Sequence, residues 1–139
     1  MAAIAKHVTR DMAALDAGAP IHEAARLMAE RKIGSVAVRE GGRIVGLVTE
    51  RDLVIRVLAS GGSAAQPIRE AMRQGIPRVQ PDATEADVVG LMRDHATRHL
   101  LVEEAGQVVG VVSMRDVIQL MVDEKQYVIE QLETHIHGR

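Results

Sequence analysis

The 139-residue chain has no cysteine, no Phe, no Trp and a single Tyr, Tyr127. Without cysteine there are no disulfides, thiolate metal sites or Cys nucleophiles, and no oxidising compartment is required. The shortage of aromatics leaves Val, Ile, Leu, Ala and Met to build the core. A nucleobase bound here would lie between aliphatic side chains and backbone rather than between rings. Basic charge is not in excess either: 17 Lys and Arg face 19 Asp and Glu, for a net charge of −2 and a pI near 6.3. That balance argues against nucleic acid as a partner. No apolar run approaches the ~20 residues of a membrane span, and the opening MAAIAKHVTRDM lacks a signal-peptide core, so a cytoplasmic protein without membrane contact is expected. No Ser with a positioned His and Asp and no phosphate-cradling Gly loop is legible, so an enzyme is not expected.

What is present is a repeat. Sliding the sequence by 64 residues lays 20–53 on 84–117 without a gap, and ten of those thirty-four positions are identical, among them Gly46/Gly110, Arg51/Arg115 and Asp52/Asp116. Each copy reads as a helix with an apolar stripe (about 21–31, with a twin containing Val88 and Met92). A hairpin of two strands follows, SVAVRE with RIVGLV and HLLVEE with QVVGVV, turning at GG or AG. A second helix follows, over about 50–59 and from 114 onward. Upstream the copies match only after a shift of four, Met12 with Met72, so the first copy reads as shorter there, and its leading strand is hard to see. The expected organisation is a first repeat over 1–60, a connector over 61–67, a second repeat over 68–120 and a helical extension over 121–139. Met28, Met72 and Met92 read as core filling.

Both copies carry the same phrase at the start of the second helix, GLVTERDL at 46–53 and GVVSMRDV at 110–117. Thr49-x-x-Asp52 and Ser113-x-x-Asp116 have the form of a capping box, worth about 1 kcal/mol each. Three features suggest more than a cap. Asp replaces the usual Glu or Gln; an Arg precedes each Asp; and Gly46 and Gly110 sit inside a strand, where Gly marks close approach of a backbone or ligand. A carboxylate beside a hydroxyl at a helix N-terminus also suits a ribose diol, with free N–H groups and Arg available to phosphate.

With these motifs the chain resembles the cystathionine-β-synthase (CBS) domain family, specifically a stand-alone tandem pair, over residues 8–120. The resemblance rests on EAARLMAERKIGSVAVREGGRIVGLVTERDL and PDATEADVVGLMRDHATRHLLVEEAGQVVGVVSMRDV. It implies an α+β fold of two βαββα units related by a pseudo-twofold axis, with two clefts between the sheets, and commonly a homodimer. It further implies a regulatory module whose clefts take AMP, ADP or ATP, with S-adenosylmethionine or NAD(H) as alternatives and no prosthetic group. By that similarity Thr49 with Asp52, and Ser113 with Asp116, hold ribose, while Arg98, His99, Arg51 and Arg115 are candidates for phosphate. VQPDAT at 79–84 fits the family's lead into the first helix and ALDAGAP at 14–20 does not, so one well-formed cleft is expected rather than two.

The last helix continues past its counterpart, with Ile118, Met121, Val122, Ile129, Leu132 and Ile136 at helical spacing and Gly138 as a stop. It reads first as a helix folding back on its own domain, and alternatively as a seam between two copies. With no output domain in the chain, an effector would be a separate protein; a ligand-free interaction scaffold is the competing reading. His135 and His137 look like a frayed end, and His95 and His99 straddle a helix end, so no metal site is expected. Arg31 and Lys32 read as a solvated helix end.

Overall fold

The computed structural model describes residues 3–137; the expected stop at Gly138 lies outside them. Two three-stranded sheets form, each with one parallel and one antiparallel pairing. The first contains β1 (Ala14–Asp16), β2 (Ser35–Glu40) and β3 (Arg43–Thr49), with α1 (Ile21–Arg31) between β1 and β2. The second contains β4 (Arg78–Val79), β5 (His99–Glu104) and β6 (Gln107–Ser113), with α3 (Glu85–Asp94) between β4 and β5. The fold is α+β, as expected, and both helical stripes face inward: Ala24 and Met28 of α1, and Val88 and Met92 of α3, are buried. The hairpins turn through residues at positive φ, Gly41-Gly42 in the first repeat and Ala105-Gly106 in the second, as a two-residue turn between twisted strands requires.

The leading strand of the first repeat is fully formed, contrary to the sequence expectation. β1 pairs in parallel with β2, Ala14 opposite Ala37 and Leu15 opposite Val38; β4 makes the matching pairs, Arg78 opposite Leu101 and Val79 opposite Val102. Every one of these positions differs from its counterpart by 64, so the first copy has no four-residue deficit. The same offset relates the bridge Ala3–Thr84 to the bridge Pro20–Pro67. ALDAGAP conceals its strand because three residues with one half-exposed face give too little alternation to read.

The segments ahead of the strands change sides. Ile4, in a 3₁₀ turn over Ile4–His7, is fully buried in the core of the second repeat, together with Val88, Leu100 and Val112. Its counterpart Ile68, in a turn over Ile68–Glu70, is fully buried in the core of the first, with Ala24, Val36 and Val48. Thr9 then pairs with Val111 of β6 through two backbone hydrogen bonds of 2.9 and 3.0 Å. A third apolar cluster, including Ala37, Leu47, Leu101 and Val111, joins the two sheets. Each repeat therefore closes its core with the other's leading segment.

The crossings account for the strand glycines. A Cβ on Gly110 would lie 2.5 Å from Val8 Cγ1 and 2.8 Å from the Thr9 carbonyl oxygen, while one on Gly46 would collide with Met72 Sδ. These are approaches of the chain to itself, not openings for a ligand.

The second helices differ. The first, α2 (Glu50–Asp52), widens into a π-helical turn over Leu53–Leu58. The second, α4 (Met114–His137), is α-helical over 24 residues. Val117 and Leu120 bury its base, and His7 Nε2 lies 3.0 Å from Asp123 Oδ2. That hydrogen bond holds the Asp123 carboxyl below the usual carboxylate range, with help from Gln119. Beyond Glu124 every described side chain is exposed, so the extension does not fold back on its own domain. No described helix is long and apolar enough to cross a membrane.

Candidate functional site

β3 and β6 end at the hydroxyl residues because both helices begin there with their first N–H groups unpaired. The Thr49 N–H donates to Asp52 Oδ2 at 2.8 Å, and the Asp52 N–H donates to Thr49 Oγ1 at 3.2 Å. At the second site the Ser113 N–H donates to Asp116 Oδ2 at 2.7 Å, the Ser113 hydroxyl donates to the same oxygen at 2.9 Å, and the Asp116 N–H donates back to Ser113 Oγ at 3.2 Å. Both are capping boxes.

The remaining carboxylate oxygens differ. Asp52 is 7% exposed, and its Oδ1 lies 3.4 Å from Arg56 Nε. Asp116 is half-buried, and its Oδ1 has no hydrogen bond or ion pair among the described residues. An identical box, Thr84 with Asp87, starts α3 on the exposed surface, outside both clefts. Its hydrogen bonds to Thr84 hold the Asp87 carboxyl below the usual range. An Asp in the fourth position is therefore not in itself a sign of a ligand.

Two clefts open between the repeats. One, of about 930 Å³, is lined by Ser113, Arg115 and Asp116 from the second repeat and by Thr9, Met12, Ala13, Ile33 and Ser35 from ahead of and within the first. The other, of about 870 Å³, is lined by Thr49, Arg51 and Asp52 from the first repeat and by Arg73, Ile76, Val89 and Thr97 from the second. Each hydroxyl–carboxylate pair thus faces the other repeat's leading segment. Apolar walls such as Met12, Ala37 and Leu47 in one cleft, and Ile76, Val89 and Met92 in the other, provide the aliphatic lining that the composition requires.

Arg98 and His99 belong to both clefts, as do Gly34 and Glu50. The 64-residue offset pairs Arg98 with Gly34, and the His99 ring stands beside that glycine, its Nε2 3.7 Å from where a Cβ would be, an ordinary contact distance. Burial holds the His99 imidazole below its usual range, against the pull of Asp116, Asp52 and Glu50. Arg98 and His99, although they come from the second repeat alone, thus stand in a wall that both clefts share. Arg51, Arg98 and Arg115 are exposed and make no side-chain hydrogen bond or ion pair among the described residues.

Sequence reasoning missed several cleft cations. Arg31 and Lys32, read as a solvated helix end, line the Ser113 cleft; Arg56, Arg73 and Arg93 line the Thr49 cleft. Arg73 donates to the carbonyls of His95 and Ala96, tying the leading segment of the second repeat to the end of α3. The ungapped offset could have found Arg73, since it pairs with Thr9 of the other cleft. His95 Nδ1–H donates locally to the Leu91 carbonyl, 3.1 Å away at the end of α3, whereas His99 stands on β5. Among the described residues no group of three or more His, Asp or Glu side chains is placed to hold a metal ion; the His137 side chain lies outside them.

Comparison with known proteins agrees with this architecture. The family model described as the CBS domain matches residues 4–59 and again 68–123. The chain is 29% identical over 116 residues to CBS domain-containing protein YhcV of Bacillus subtilis, covering 84% of this chain and 83% of that protein. It is 30% identical over 122 residues to 5'-AMP-activated protein kinase subunit gamma-3 of Sus scrofa, covering 81% of this chain and 24% of that subunit. A crystal structure of an uncharacterized conserved protein from Pyrococcus horikoshii superposes with a TM-score of 0.80 at 27% identity, over 86% of this chain and 92% of that one.

Proposed function

This chain belongs to the CBS domain family, and on that premise we propose that it is a regulatory module that binds an adenine nucleotide in the clefts between its repeats and signals to a partner. The observation that carries the proposal is the juxtaposition in each cleft of a hydroxyl–carboxylate pair, an aliphatic wall from the other repeat, and the unpaired guanidinium of Arg98. The carboxylate accepts hydrogen bonds from a ribose diol, most freely at Asp116, whose Oδ1 is unengaged among the described residues. The aliphatic wall takes the base, and Arg98, with Arg51 or Arg115, meets phosphate through charge-assisted hydrogen bonds. Nothing in this set attacks a bond, so the work is binding rather than catalysis. AMP, ADP or ATP fits the arrangement, and the similarity to a subunit named for an AMP-activated kinase supports that class. No prosthetic group enters the reading; the partner is a second copy of the chain, a separate effector protein, or both.

A competing reading, a ligand-free interaction scaffold, is favoured by one observation, the uncovered apolar face of α4. Thermal unfolding with AMP, ADP, ATP, S-adenosylmethionine and NADH separates the two. A nucleotide that binds only the folded chain stabilises it by RT ln(1 + [L]/Kd), roughly 2.7 kcal/mol at a hundredfold excess over Kd. The proposal expects the largest shift from an adenine nucleotide. A larger shift with S-adenosylmethionine or NADH would reassign the ligand, and no shift at millimolar concentration with any of the five would leave the scaffold.

A further inference from the structure

The wall between the two clefts is asymmetric. Gly34, Glu50, Arg98, His99 and Met114 line both of them. The 64-residue offset matches Arg98 with Gly34 and Glu50 with Met114. Where a symmetric wall would offer each cleft its own cation, this one carries a single guanidinium and a single carboxylate. Arg98 and Glu50 are exposed, and neither side chain makes a hydrogen bond or ion pair among the described residues. Burial holds the His99 imidazole below its usual range, so near neutral pH Arg98 is the one charged cation in the shared wall. Arg115, by contrast, lines only the Ser113 cleft, and Arg51 only the Thr49 cleft.

Resting on the reading of both clefts as nucleotide sites, we propose that they are antagonistic toward phosphorylated ligands, because one guanidinium serves both. A guanidinium fork paired with a phosphate in one cleft is withdrawn from the other. The second ligand then meets a wall that presents the Glu50 carboxylate, with the first ligand's phosphates beyond it, and like charges repel. Coupling of this kind is reciprocal and amounts to roughly 5–150-fold in affinity. Adenosine carries no phosphate, does not engage Arg98, and is expected to fill the two clefts independently. The wall has room for a second cation. A Cβ on Gly34 would stand 3.5 Å from Glu50 Oε1 and 3.7 Å from His99 Nε2, ordinary contact distances.

Met12 lines only the Ser113 cleft and Met92 only the Thr49 cleft, so their methyl signals in NMR of methyl-labelled methionine report the two sites separately. ATP is expected to move them in two steps, with midpoints about tenfold further apart than those for adenosine. Arg98→Ala is expected to weaken the first step about tenfold and leave the second unchanged, because the second ligand never held the guanidinium. Gly34→Arg supplies the missing cation and is expected to tighten the second step about tenfold. Circular dichroism checks that each variant folds. Equal weakening of both steps in Arg98→Ala, or the same spacing for ATP and adenosine, would overturn the antagonism and leave both clefts as nucleotide sites. If ATP moves one signal only, the other must respond in Gly34→Arg, and its failure to do so also overturns the proposal. Movement of neither signal with ATP or adenosine would remove the nucleotide reading itself, and the antagonism with it.

Discussion

Asp52 and Asp116 close the same hydrogen-bonded ring at the start of their helices, and they differ in what remains of each carboxylate. Arg56 occupies the second oxygen of Asp52, which is nearly buried; Asp116 keeps one oxygen unengaged at the surface of its cleft. The four-residue phrase therefore specifies the cap in both repeats, while the residue four positions later decides how much of the carboxylate is left for a ligand. At the offset of 64, Arg56 corresponds to Leu120, which is buried in the second core and offers no charge. The same lesson holds for the strand glycines: equal residues meet unequal neighbours, a thioether at Gly46 and a backbone carbonyl at Gly110.

The sharpest way to break the comparison is at those glycines. Gly110→Ala must displace the Thr9 backbone and its two hydrogen bonds to Val111, and is expected to lower stability by about 3 kcal/mol in urea unfolding. Gly46→Ala needs only a Met72 rotamer change and is expected to cost about 1 kcal/mol; equal losses would remove the distinction. At the clamps, Asp116→Ala is expected to weaken nucleotide binding roughly 30-fold by calorimetric titration, in keeping with about 2 kcal/mol for hydrogen bonds to a charged group. Asp52→Ala should change the tighter binding much less. Arg98→Ala, which removes a cation shared by both clefts, is expected to weaken ATP about tenfold and adenosine hardly at all.

The hairpin turns give a smaller contrast. Ala105 sits at φ 51°, where the first repeat has Gly41 at 59°. Ala105→Gly is therefore expected to stabilise the chain by roughly 0.5–1 kcal/mol, read as a rise in Tm. A fall in Tm would mean that the turn is not strained. The pH effect comes from one repeat only, since Ser35 stands where the second repeat has His99. With the folded imidazole held below its usual range by burial, its contribution to stability is complete above the unfolded-state pKa near 6.5 and is lost as pH falls. His99→Gln is expected to flatten the stability profile between pH 7 and 5; an unchanged profile would show that other groups set it.

Both helices and both hairpins were legible because their apolar residues recur at clear periods, as in Ala24 with Met28 or Val36 with Val38. The family was legible from the repeated phrase. β1 was not, because three residues carry too little pattern. The exchange of leading segments was also hidden: Ile4 and Ile68 look alike in sequence, and only the chain path shows that each enters the other's core. For the same reason the sequence could not pair a clamp with its opposing wall. Gly46 and Gly110 were noticed, but a nearby chain and a nearby ligand leave the same mark in sequence. Arg73 was overlooked because an assumed four-residue gap hid its correspondence with Thr9.

The central claim is that a hydroxyl–carboxylate cap doubles as a nucleotide clamp where a carboxylate oxygen is left free. Calorimetric titration of ATP into the wild-type chain, Asp52→Ala and Asp116→Ala tests it most directly. The account predicts saturable binding to wild type, tighter binding retained in Asp52→Ala, and that binding weakened roughly 30-fold in Asp116→Ala with the fold intact by circular dichroism. Equal affinity of wild type and Asp116→Ala for ATP would contradict it and reduce Asp116 to a helix cap.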